Sequence, residues 1–197
     1  MLRTLRTYFI YLLIAFFLLP AVAIADEEIT GNEPIAIDLL VEGLELYSAG
    51  QHEAALPMLL SSLDGESNPN RLHQAHLALA RIYLEKKQFD KALEQIAAIP
   101  VALRGDEARY VEGRALIAIQ LTGEGVTALQ GIDESNLPPL DRGIRLRVLA
   151  EGNAALGNNQ EALWFAHQAM LKSASADIGT IYDFTRQVIN RKIDPVQ

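Results

Sequence analysis

Gly50-Gln51-His52-Glu53-Ala54-Ala55-Leu56, Lys87-Gln88-Phe89-Asp90-Lys91-Ala92-Leu93, Gly123-Glu124-Gly125-Val126-Thr127-Ala128-Leu129 and Gly157-Asn158-Asn159-Gln160-Glu161-Ala162-Leu163 are four variants of one phrase. Each starts in a polar, turn-forming run and ends on an alanine–leucine pair. The alanines fall at 55, 92, 128 and 162, so the phrase returns after 37, 36 and 34 residues. Apolar residues on both sides recur with helical spacing. The unit is therefore helix, tight polar turn, helix. Such a unit cannot bury its apolar face alone and does so by stacking on its neighbours.

The expected helices follow from this period. The first hairpin pairs about 34–49 with 52–63, the second 71–86 with 89–98, the third 107–121 with 126–132, and the fourth 141–156 with 159–172. Asp106 is the expected N-cap of the third hairpin, and Pro57 is expected to kink or delay the helix that contains it. A last helix at about 178–191, starting after Asp177, carries Ile178, Ile181, Tyr182, Val188 and Ile189 mostly on one face. It is expected to cap the array by covering its last apolar surface. Ile193 to Gln197 reads as a tail.

The pattern resembles the tetratricopeptide repeat family, whose period is about 34 residues. The family's small residue in the first helix falls on Gly43, Ala80 and Ala150, and on Ala115 in the third repeat after a one-residue shift. Tyr83 and Phe89 take its aromatic positions on either side of a turn. The resemblance spans about 36–172 and implies an all-α, right-handed α-solenoid of about four hairpins plus a C-terminal capping helix. It also implies a groove lined by the first helices that binds a protein or peptide. Carried onto this chain, that groove takes Leu40, Leu44 and Tyr47 from the first repeat and Leu77, Arg81, Leu84 and Glu85 from the second. The third gives Tyr110 or Arg109, Ile117 or Leu116, with Arg114, and the fourth gives Ile144, Arg147 and Glu151. The implied ligand is an extended peptide or helix with apolar anchors and an acidic group near Arg81 or Arg147. The plainer reading of these arginines is that they balance Glu85 and Glu151. The run Leu146 to Leu171 also resembles the repeat portion of outer-membrane activators of penicillin-binding proteins.

The N-terminus reads as an export signal. Arg3 and Arg6 precede an unbroken apolar run from Tyr8 to Leu19, then Pro20 and Ala21-Val22-Ala23-Ile24-Ala25 before Asp26. That is the three-part order of a secretory signal peptide over 1–25, followed by an acidic leader at 26–33. The alternative is an uncleaved anchor. Cleavage after Ala25 would remove two basic side chains and leave 172 residues of net charge −10, against −8 for the whole chain. So acidic a chain is repelled by nucleic acid and anionic lipid. With no cysteine there is neither disulfide, nor thiolate metal site, nor thiol nucleophile. The expected location is the periplasm, and the expected partner is an envelope protein, with a homodimer as the other reading.

Catalytic signatures are missing: no phosphate loop, no Gly-x-Ser-x-Gly elbow and no His-Glu-x-x-His helix. The chain is read as a scaffold or adaptor, not an enzyme, and no cofactor is expected. His73 and His76 share a helix face and could hold zinc or copper with a third ligand. Solvated or packing histidines are the stronger reading, and no metal site is assigned. Trp164 and Phe165 point about 100° apart on one helix, so at least one belongs to the core.

Overall fold

A computed structural model describes residues 38–172 and 175–193, and among them every regular element is a helix. The expected signal peptide, the acidic leader and the last four residues lie outside the described residues. The helices are α1 (Leu39–Ser48), α2 (His52–Ser61), α3 (Pro69–Glu85), α4 (Phe89–Ala98), α5 (Asp106–Ala118), α6 (Thr122–Gln130), α7 (Pro139–Ala155), α8 (Asn159–Lys172) and α9 (Ser175–Ile193). Two 3₁₀ turns, Val101–Leu103 and Glu134–Asn136, lead into α5 and α7. The pairs α1–α2, α3–α4, α5–α6 and α7–α8 form hairpins, and α9 packs on α8. The first helices also touch in series, α1 to α3, α3 to α5 and α5 to α7.

One register runs through all four hairpins. Gly43, Ala80, Gly113 and Ala150 are buried on the first helices. Ala55, Ala92, Gly125 and Ala162 answer them twelve residues later on the second helices, also buried. Small side chains here let paired axes approach, and the larger residues one turn on, Leu59, Ile96 and Leu129, fill the space above. Between each pair, Gly50, Lys87, Gln120 and Gly157 turn the chain with φ of 74°, 58°, 69° and 80°. Glycine adopts that left-handed conformation freely, whereas Lys87 and Gln120 do so at a steric cost.

This register corrects the reading of the third repeat. Its turn lies at Gln120, not Gly123, and its close-packing pair is Gly113 with Gly125, not Ala115 with Ala128. Gly123 sits inside α6 with open space where a Cβ would be, while a Cβ on Gly125 would lie 2.6 Å from the Gly113 carbonyl oxygen. The sequence offered glycines as the turn, and the fold used them for contact.

Local corrections have similar causes. Gly105, not Asp106, is the N-cap of α5, and Asp106 is its first helical residue. Pro57 lies within α2 without delaying its start at His52. The last helix begins at Ser175, before Asp177, and includes Ile193. Ile181 and Val188 are buried against the array, but Ile178, Tyr182 and Ile189 remain exposed. Arginines close several helix ends: Arg104 Nε donates to the Ile99 carbonyl beyond α4, and Arg145 Nε to the Leu129 carbonyl of α6. These carbonyls lack helical partners, and a cation suits the negative end of the helix dipole.

Candidate functional site

The first helices line a groove of about 520 Å³ formed by Leu44, Tyr47, His73, Gln74, Leu77, Ala78, Arg81, Glu107 and Pro138. Its apolar side comes from α1 and α3, where Leu44, Tyr47 and Leu77 are half-buried and pack on the main core. Burial raises the Tyr47 phenol pKa, so it remains neutral at ordinary pH. Tyr47 also stacks on His52 at 5.5 Å between ring centroids, and His52 Nδ1 meets Glu85 at 2.8 Å. A second hollow of about 290 Å³ adjoins through His73 and Leu77 and reaches Asp106 and Asn136.

The polar floor is a network. Arg81 meets Asp141 at 2.9 Å and Glu107 at 3.2 Å. The Tyr110 hydroxyl donates to the other Asp141 oxygen at 2.9 Å and accepts from Arg114 Nη1 at 2.9 Å. Both guanidiniums lie over the Tyr110 ring, Arg81 at 5.7 Å and Arg114 at 5.2 Å. Burial works against the charge on Arg81, but the hydrogen bond and charge of Asp141, with the charge of Glu107, outweigh it and raise its pKa. Burial drives the Tyr110 pKa up as well. Asp141, with 11% of its side chain exposed, is paired with Arg81 within the fold.

The structure distributes the expected groove residues unevenly. Leu44, Tyr47, Leu77 and Arg81 line the groove. Leu40, Leu84 and Tyr110 are buried and do not line it. Glu85 is exposed and paired with His52, so it is not the partner of Arg81. Arg114 stands twelve residues before the α6 pair that includes Val126, in the register position that Arg81 holds in α3. Ile144 packs on the core, and Arg147 meets Glu151 at 4.0 Å, as the plainer reading of that pair expects. Partial burial raises the Glu151 carboxyl pKa.

Sequence reasoning missed Gln74, Ala78, Glu107, Pro138 and Asp141. Gln74 and Ala78 lie on the face already identified, and Glu107 follows from the register once Gly113 is placed. Asp141 could not have been paired with Arg81 by any local signal, since 60 residues separate them. His73 and His76 do not converge: His73 lines the groove, while His76 Nδ1 lies 2.8 Å from Gln95 Oε1. Among the described residues no three potential ligands gather round a metal position. Trp164 is exposed and sits edge-on to the half-buried Phe165 at 4.8 Å.

Four hairpins in one register with a groove along their first helices define a helical-repeat protein. Residues 46–117 match the family model of the tetratricopeptide repeat, which supports the reading of the fold as tetratricopeptide-like. No curated protein and no solved structure matches it. Tetratricopeptide repeats generally mediate protein–protein interaction or scaffolding.

Proposed function

We propose that this protein is a periplasmic scaffold or adaptor that holds an extended or helical segment of a cell-envelope protein in the groove of its first helices. The observation that carries the reading is the groove itself, with Leu44, Tyr47 and Leu77 presented beside a floor whose charges are already paired. A partly apolar concave site with few fixed polar groups suits apolar anchor residues. Because Arg81 is occupied by Asp141 and Glu107, an acidic side chain of the partner is read further along, at Arg114 or Arg147. Arg114 has only the Tyr110 hydroxyl and ring as partners among the described residues. The location rests on Arg3, Arg6, the apolar run from Tyr8 and the small residues before Asp26. Catalysis and cofactor binding form no part of this reading.

Photo-crosslinking in cells from Tyr47 and Gln74, with Gln130 as a control on a second helix, tests it. One dominant envelope protein captured from the two groove positions and not from the control is expected. Capture of only a second copy would replace the adaptor with a self-associating protein, and fractionation with cytosolic proteins would sink the periplasmic location.

A further inference from the structure

Solenoid repeats touch their immediate neighbours. Here a side chain of the second repeat reaches the fourth. Arg81 Nη1 on α3 donates to Asp141 Oδ2 on α7 at 2.9 Å. The other oxygen of that carboxylate accepts from the Tyr110 hydroxyl on α5 at 2.9 Å. One carboxylate therefore gathers three successive first helices. Both ends of the bridge are sheltered, with 14% of Arg81 and 11% of Asp141 exposed. Ion pairs and hydrogen bonds gain strength where water is largely excluded.

The shape of such an array is the sum of small rotations between adjacent repeats. A bridge from the second repeat to the fourth fixes two of those rotations at once. Pro138 forms the far wall of the groove and lies three residues before Asp141 in the chain. We infer that Asp141 is a positioning residue that sets the spread of the groove, acting through Arg81 to hold the start of α7 toward α3. When the bridge opens, α5 remains packed between α3 and α7, the angle between repeats relaxes, and Pro138 retreats from Leu44 and Tyr47. This role goes beyond the adaptor reading and needs no bound partner.

The absence of cysteine from the chain allows two spin labels to be placed without background. Glu45→Cys on α1 and Leu140→Cys at the start of α7 are exposed positions on first helices of the first and fourth repeats. Pulsed electron-spin distances are measured in this background alone, and with Asp141→Asn, Arg81→Gln or Tyr110→Phe added. Asp141→Asn and Arg81→Gln should move the distance outward by more than the width of the wild-type distribution. Tyr110→Phe leaves the Arg81 bridge intact and should lower the melting temperature with the distance unchanged. A wild-type distance in both bridge variants, or an equal outward shift in Tyr110→Phe, overturns the inference. If Asp141→Asn fails to fold, Arg81→Gln decides by the same criterion.

Discussion

Replacing Gly125 by alanine puts a methyl carbon 2.6 Å from the Gly113 carbonyl oxygen, 2.6 Å from Ile117 Cγ1 and 3.0 Å from the Ile117 backbone nitrogen. The isoleucine side chain can rotate, but the two backbone atoms can withdraw only if α5 and α6 separate. A retreat of roughly 0.5 Å already forfeits about a quarter of the dispersion energy of each contact it loosens. The contacts at stake include Leu129, which is buried against α5. Overpacking of this kind costs about 1–3 kcal/mol, and replacing a mid-helix glycine returns about 0.5–1 kcal/mol. The net expectation is a loss of about 0.5–2 kcal/mol, or a melting midpoint lower by roughly 1–8 °C in a chain of this size. Gly123, two residues earlier in the same helix, has nothing within 4 Å of its Cβ position. Gly123→Ala should therefore stabilise by about 0.5–1 kcal/mol. Urea and thermal unfolding followed by circular dichroism compare the two variants directly. Equal effects, or a stable Gly125→Ala, would refute the register assigned to the third repeat.

Gln120→Gly relieves a left-handed residue at φ 69° and should raise stability by about 1 kcal/mol in the same assay. Tyr110→Phe removes a hydroxyl that donates to a buried carboxylate, and a loss of about 1.5–3 kcal/mol is expected from urea unfolding. Arg147→Ala breaks a half-exposed pair with Glu151 and should change stability by less than about 1 kcal/mol. Glu151 has its pKa raised by burial in the folded chain. A carboxyl of that kind favours the fold below its unfolded pKa, and the benefit disappears as pH rises through the folded value. Nuclear magnetic resonance titration should place its midpoint above the ordinary glutamate value, and Glu151→Gln should be more favourable at neutral pH than at pH near 4.

The hairpins were legible because their spacing and apolar pattern are properties of short stretches. Where glycine both turned the chain and marked the repeat, at Gly50 and Gly157, the turn was placed correctly. In the third repeat the signals separated. Gln120 took the left-handed position, and Gly125 was needed for close approach to Gly113. A glycine required for contact and one required for φ look alike in a sequence. The positions Leu44, Tyr47, Leu77 and Arg81 came from the family resemblance, and the structure places all four along one hollow. Leu40, Leu84 and Tyr110 were expected in the groove yet are buried, and how deeply a residue is covered depends on packing between repeats. The engagement of Arg81 by Asp141 is a further step removed, because it joins helices that are not adjacent in the array.

The central claim is that the first-helix groove is the binding surface. It is tested most directly by titrating the captured partner, by calorimetry, into the wild-type protein, Tyr47→Ala, Leu77→Ala and the exposed second-helix variant Trp164→Ala. With helical content unchanged, the account predicts at least a tenfold weaker dissociation constant, about 1.4 kcal/mol, for each groove variant and none for Trp164→Ala. Wild-type affinity in both groove variants, with binding lost in Trp164→Ala, would contradict it.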